Sequence, residues 1–434
     1  MASTPLSSAG GNTALTPLPS NERLFGWRDH AALWLSLGVG LLVMQIGAYL
    51  VPALGTQAAL AAIVCGSILG AGLLAWTAKI GCNSGLSSAG LMHATYGSSF
   101  ARLPVLLNIV QLIGWTTFEL VVMRDGTMAI ARQSGSFSGS IWPVMTTLLW
   151  GAVLLALLSG SMVTLVRKFI GRYGLPLVMA SLLWLSWQFL GKASVQGITD
   201  LWHRAGDGSM STLSALDLVI AMPVSWLPLV ADFARHGRDG NSALRGTWLG
   251  YAVANIWCYA LGLLVALTTP GSDLVAALLL AQGGLLALGL ILIEEVDNAY
   301  GDLYSGSVAG HSLKPGWSIR RWGMALAVLC TALALVLPMH SLEPFLLMLS
   351  SVFVPLYGVI LARLAGQENV VSLMRKRRVN TSAVAIWLLG VACYHLCAQL
   401  APAWGAALPT LVLTFMLAWS TRKLLNSSEI SAAV

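Results

Sequence analysis

Apolar side chains follow one another along this chain in long stretches that end at short clusters of Gly, Pro, Ser and charged residues. Leu148 to Leu158 and Ala325 to Leu337 pass without a charged side chain. A helix needs about 20 mainly apolar residues to cross a bilayer, whereas membrane β-strands alternate apolar and polar positions over about 10 residues. The unbroken runs therefore predict an all-α polytopic membrane protein. Read against the loop signals, they give 12 transmembrane helices, at about 31–54, 57–79, 103–132, 141–160, 173–191, 213–234, 245–268, 274–300, 322–338, 343–364, 381–399 and 403–421.

An even number of spans puts both termini on one side, and 20 of the 24 Lys and Arg residues fall in the tails and loops of that side. Only Arg124, Arg132, Lys192 and Arg204 fall on the other. Positive loops stay inside, so both termini are expected to be cytoplasmic, in a bacterial-type cytoplasmic (inner) membrane. Span 1 carries Gly47 and Pro52, and span 6 carries Pro223 and Pro228 around Ser225 and Trp226. Proline removes a backbone donor, and within lipid the freed groups must find partners in protein or in a water-filled cavity. Interrupted spans at corresponding places in two halves point to a binding site made by discontinuous helices of an inverted repeat. The expected layout is a five-plus-five inverted repeat with discontinuous helices 1 and 6, plus two extra helices. It divides into a disordered cytoplasmic tail at 1–26, a first repeat at 27–191, a second at 213–364, two spans at 381–421 and a cytoplasmic tail at 422–434.

Composition agrees with this pattern. Of 434 residues, 57% are hydrophobic and 9% charged, where a soluble domain carries about 25% charged. The net charge of +7 is scattered over short loops with no basic patch interleaved with aromatics, so no nucleic-acid partner is expected. Cys65, Cys82, Cys258, Cys330, Cys393 and Cys397 lie mostly in or beside apolar runs with no C-x-x-C pair, and read as packing residues. The seven His residues are far apart and none has ligand spacing, and His340 and His395 near span ends lack a partner motif. No enzyme chemistry, cofactor, metal centre or obligate protein partner is expected. The expected partners are a small-molecule solute and the bilayer.

With so few charges, an acid inside a span is a functional candidate, because its insertion is costly. Glu119 lies in span 3 one turn after Trp115, and Gln111 one turn before, so the three share a face. An aromatic plate beside a carboxylate suits a flat heteroaromatic ligand; the alternative is that Glu119 pairs with Arg124 or another helix. In span 8, Glu294, Glu295 and Asp297 follow pure hydrocarbon. Carboxylates there suit a hard cation or a proton, which makes them the expected coupling-ion site; the alternative ends the helix before Glu294. Gln45 offers an amide to a ligand at an unwound segment or to a neighbouring helix. Asp232, in Asp232-Phe233-Ala234-Arg235, is expected in a salt bridge or gate contact at the inner end of span 6.

Several stretches together resemble the nucleobase:cation symporter family, the cytosine, allantoin and hydantoin permeases. They are Ser84-Gly85-Leu86-Ser87-Ser88, Ile113-Gly114-Trp115, Asp232-Phe233-Ala234-Arg235, Asp297-Asn298-Ala299 and Pro355-Leu356-Tyr357-Gly358-Val359. The resemblance implies a secondary active symporter with substrate held between spans 1, 3, 6 and 8. By position it gives Trp115 as the aromatic plate, with Glu119, Gln45 and Asn298 reading the ring's edge and Ser225 near the substrate. The family's second aromatic falls on Pro223, with Trp226 one turn later as its replacement. A sodium site would use the carbonyls of Leu41, Met44 and Ile291 and a hydroxyl pair, at whose positions this chain has Glu294 and Glu295. The coupling ion is thus Na+ or H+. The branch most similar is the one proposed to import hydroxymethylpyrimidine, a thiamine precursor, whose aminopyrimidine edge cytosine shares. An amino acid or other small-solute symporter of the same fold is the alternative.

Overall fold

The computed structural model describes residues 13–133, 135, 139–160, 173–337 and 339–431. Arg167, Lys168 and Arg172, which contribute to the orientation signal, lie outside them. Seven of the described helices are long and apolar enough to cross a membrane, or eight when one bent pair is counted as a single span. Trp187, Leu286, Val336 and Leu400 are among the large apolar side chains left exposed on the outside, as expected of a lipid-facing surface.

Span 1 divides into α1 (Trp27–Leu37) and α2 (Leu41–Tyr49), bent by 60°. The interruption is at Gly38-Val39-Gly40, several residues before the breakers the sequence offered. A Cβ on Gly38 would stand 2.7 Å from the Ala254 Cβ, and one on Gly40 would stand 3.1 Å from a Glu295 carboxylate oxygen. Gly47 instead lies inside α2, where a Cβ would meet the Tyr259 carbonyl oxygen at 2.1 Å. Its role is close helix packing.

The second span is α3 (Thr56–Ser84), followed by a short helix α4 (Ser88–Tyr96). Gly85 turns between them at φ +69°, a left-handed conformation that glycine adopts without penalty, and Ser87 Oγ caps α4 by accepting from Gly90 N at 3.1 Å. Then come α5 (Arg102–Gln133), α6 (Ile141–Leu157), α7 (Leu175–Gln196) and the short α8 (Ile198–Trp202). The sixth apolar stretch is α9 (Thr212–Ser225) and α10 (Leu227–Ala234), parted only at Trp226. Its interruption is milder than the sequence suggested, and Thr212–Ala234 still runs as one apolar element.

After α11 (Gly240–Thr268) the expected span 274–300 resolves into a six-residue helix α12 (Leu274–Leu279) and a 30-residue helix α13 (Gly284–Leu313). Asp273 caps α12. Helix α13 runs 13 residues past the expected end, so Glu294, Glu295 and Asp297 sit within an unbroken helix and not in a loop. The chain closes with α14 (Ile319–Val336), α15 (Leu342–Leu364), the short α16 (Val370–Lys376), α17 (Thr381–Leu400) and α18 (Ala407–Ser431). The last helix takes in most of the expected tail at 422–434. Within α15, Gly358 lets Thr414 of α18 approach to 2.2 Å of where a Cβ would be.

Two groups of helices emerge. Helices α1, α2, α3, α9, α10 and α11 pack on one another, as do α5, α6, α13 and α14. Glycines set the spacing in the first group: Gly66 and Gly70 of α3 receive Val219 and Pro223, and Gly262 of α11 receives the Met44 carbonyl. Residues 13–26, expected as a loose tail, are tied down. Leu18 N donates to Gly85 O at 2.9 Å, Arg23 Nη1 donates to Cys82 O at 3.2 Å, and Phe25 pairs with the strand-like segment at Gly237.

Candidate functional site

The two helix groups face each other across a cavity, with the interrupted spans on one side and α5 and α13 on the other. Leu37, Gly40, Leu42 and Val43 line it from the first break, Met222, Ser225 and Trp226 from the second, Trp115 and Glu119 from α5, and Glu295, Asn298 and Asp302 from α13. The space between atoms there, open solvent included, is about 380 Å³.

Trp115 is 6% exposed and packs edge-on against Phe345 of α15, centroids 5.1 Å apart. Gly114 makes room for that ring, since a Cβ there would lie 2.7 Å from it. Glu119, one turn on, is 4% exposed with its Oε2 unpartnered. It does not pair with Arg124, whose guanidinium binds Asp125 at 2.7 Å and Ala334 O at 3.0 Å. Trp226 forms part of the opposite wall, held edge-on by Trp34 at 5.9 Å. Pro223, the other candidate for a second aromatic position, is turned to Gly70. Ser225 lines the cavity while its hydroxyl donates to Met222 O at 2.7 Å.

Four other polar side chains at or beside the cavity bond backbone at or next to the interruptions. Glu295 accepts from Leu41 N–H, and Asn298 Nδ2 donates to Val39 O at 3.1 Å, so α13 braces the break between α1 and α2. Gln111 Nε2 donates to Ser225 O at 3.1 Å, and Asn108 Nδ2 donates to Pro228 O at 2.9 Å, so α5 braces the break between α9 and α10. Gln111 therefore stands beside the cavity as a brace, not on its wall, and Asn108 is a partner the sequence reading missed. Gln45 is half-buried on α2 and is absent from the cavity wall.

The two adjacent glutamates point apart, as helical neighbours do. Glu294 accepts from Ser36 Oγ of α1, which also lies 3.4 Å from Asp297 Oδ2. The Met44 carbonyl faces Gly262, and Ile291 lies inside unbroken α13. Of the five residues expected at a cation site, Glu294 and Glu295 thus turn to different partners, Ser36 and Leu41, and no cluster of three acidic, His or Cys side chains suited to a metal occurs among the described residues. Asp302 was missed in the sequence, although Glu295, Asn298 and Asp302 follow the three-then-four spacing of one helical face.

Asp232 accepts from Ser88 N at 3.0 Å and from Ser305 Oγ, linking α10 to α4 and α13. It forms no ion pair with Arg235 among the described residues. Arg235 is buried, with Nε and Nη1 unpartnered and Tyr304 beside it. His340, read as partnerless, meets Asp125 at 3.3 Å.

Two interrupted membrane helices, a buried cavity where they meet, and polar braces on the facing helices define a multi-pass membrane transporter. The comparisons specify which kind: residues 17–420 match the family described as permease for cytosine/purines, uracil, thiamine, allantoin, and the chain belongs to that nucleobase-cation symporter family. The structure is similar to Mhp1, a nucleobase-cation-symport-1 family transporter, in a closed conformation with bromovinylhydantoin bound, at TM-score 0.78 and 15% identity over 97% of each chain. Inward-facing Mhp1 matches at TM-score 0.74 and 17% identity over 94% of this chain and 92% of that one. A Na+-coupled sialic acid symporter matches at TM-score 0.63 and 12% identity, over 93% and 90%. No curated protein matches by sequence. The family and its structural neighbours are transporters, not enzymes.

Proposed function

We propose that this protein is a secondary active symporter that imports a pyrimidine-type compound, hydroxymethylpyrimidine or a cytosine-like nucleobase, together with Na+ or H+ by alternating access. In this reading 12 spans form a five-plus-five inverted repeat plus two further helices, with both termini cytoplasmic. The braces support the repeat, since α5 serves the second break as α13 serves the first.

One observation carries the ligand assignment. Glu119 Oε2, Asn298 Oδ1 and Trp115 Nε1 belong to residues lining one buried cavity and have no hydrogen-bond partner. Buried polar groups are normally satisfied, so three unmatched ones around one space call for a ligand with its own donors and acceptors. A flat aminopyrimidine stacks on Trp115 with Trp226 opposite and presents amino and ring-nitrogen groups to Glu119 and Asn298. The lining includes three carboxyl groups and no Lys, Arg or His among the described residues, which disfavours an amino acid or other anionic solute. Ser225 sits where it meets a ring substituent.

Uptake of radiolabelled hydroxymethylpyrimidine and cytosine into proteoliposomes, with imposed Na+ or pH gradients, tests this. Accumulation of either above empty vesicles is expected. Failure of both to enter under either gradient overturns the assignment.

A further inference from the structure

The Glu295 carboxylate occupies an unusual position. It accepts from Leu41 N–H, the first amide of α2, and from Asn298 Nδ2 at 3.5 Å. Its carboxyl also lies within hydrogen-bonding reach of Glu119 on the facing helix α5. A metal ion needs several oxygen lone pairs turned toward one point. Here each oxygen of Glu295 already has one donor, and the positive end of helix α2 lies beside it, where it would repel a cation. Glu294 is directed away, to Ser36.

The contact between Glu119 and Glu295 has a chemical requirement. An ionised carboxylate only accepts hydrogen bonds, so two carboxyl groups bond to each other only when one of them carries a proton. Glu119 lines the cavity, is 4% exposed and has its Oε2 without a partner, so in the transport reading the group that shares this proton also meets the ligand. The titratable groups that face the pair are Asp302, Glu294 and Asp297 of α13 and Cys258 of α11. None is basic, and Arg124, on the same helix as Glu119, is engaged elsewhere.

We propose that the coupling ion is a proton held between the Glu119 and Glu295 carboxyl groups, where α5 and α13 meet the break between α1 and α2. This rests on the transport reading and names its ion. The proton enters with the substrate by adding to one carboxylate, bridges α13 to α5 while the cavity is closed, and leaves to water on the other side. Its departure sets two negative carboxylates against each other, a repulsion that favours parting of the two helix groups.

The test uses the full-length protein in proteoliposomes with radiolabelled cytosine and hydroxymethylpyrimidine. Counterflow of labelled for unlabelled probe, with no ion gradient, reports translocation alone. The expected result is counterflow, together with accumulation of about tenfold per unit of pH gradient, alkaline inside, and none from a Na+ gradient at equal pH. Counterflow accompanied by accumulation from Na+ but not from the pH gradient overturns the proton site and leaves the transport reading standing; absence of counterflow overturns the transport reading itself. Proton uptake on probe binding, read at alkaline pH from binding heats in buffers of different ionisation enthalpy, locates the site. About one proton per probe is expected for the wild type and none for E119Q or E295Q. A value of zero in the wild type, which needs no variant to fold, overturns the proposal, as does the wild-type value persisting in both variants.

Discussion

At the break between α1 and α2 the exposed backbone includes a donor, Leu41 N–H, and an acceptor, Val39 C=O, and α13 meets them with a carboxylate and an amide. At the break between α9 and α10 the braced groups are both carbonyls, Ser225 and Pro228, and α5 meets them with two amides. The difference follows from the sequence at each break. Pro228 stands at the start of α10, and proline brings no N–H, so one of the orphan donors of a new helix is missing there. Helix α2 begins at Leu41 with its N–H intact and needs an acceptor. The acid in this membrane helix therefore has a structural reason, and the same reason fixes it on the cavity wall.

The largest predicted effect concerns how the halves of each break are seated. A Cβ on Gly262 would stand 1.9 Å from the Met44 backbone oxygen, whereas one on Gly66 would meet the Val219 side chain at 2.6 Å. Backbone yields less than a side chain, so Gly262→Ala is expected to cost about 3 kcal/mol or more and Gly66→Ala less than half of that. Thermal unfolding in detergent measures both; equal losses would show that the first break is not held more rigidly than the second.

Exchanging the braces comes next. Glu295→Leu leaves Leu41 N–H unmatched in a dry site and is expected to cost about 2–4 kcal/mol and abolish uptake. Gln111→Leu orphans two acceptors, Ser225 O and the Asn108 Oδ1 that Gln111 also meets at 3.0 Å, but leaves every N–H matched and the Asn108 bond to Pro228 in place, and is expected to cost about 1–2 kcal/mol. If Gln111→Leu proved the more damaging, the carboxylate would not be the more demanding brace. Trp115→Phe, which leaves both braces intact and keeps a ring against Phe345, is expected to weaken probe binding by up to about tenfold with a smaller loss of stability than either brace exchange.

The contrast also explains what could be read from the sequence. Trp115 and Glu119 were legible because helical spacing puts them on one face and the surrounding hydrocarbon makes an acid conspicuous. The second break was legible from its prolines. The first was misplaced, because glycine serves two purposes that look alike in one dimension: Gly38 and Gly40 release the backbone, whereas Gly47 admits the backbone of α11. Only the neighbouring helix distinguishes them. Gln111 was assigned to the ligand for a similar reason, since a buried amide on the right face suits a ligand and a freed carbonyl equally well. Asp302 was legible in principle, seven residues after Glu295, but attention to the three crowded acids concealed the face that matters. The pairing of Glu119 with Glu295 joins residues 176 apart in sequence, and no local pattern reports it.

The smallest effect tests the role given to proline. Pro228→Ala returns an N–H to the start of α10, and the Val224 carbonyl, one turn earlier on the same apolar element, is the natural acceptor for it. The new bond would carry the helical ladder across Trp226, so the stability change is expected to stay within about 1 kcal/mol while the interruption that seats Trp226 on the cavity wall is reduced. Probe binding should therefore fall in Pro228→Ala without a matching fall in melting temperature. A destabilisation as large as that of Glu295→Leu would mean that the added donor finds no acceptor and that proline is there to silence it. Unchanged binding with unchanged stability would mean that Trp226 is positioned by Trp34 alone, and the second break would then contribute its braced carbonyls but not its bend to the site.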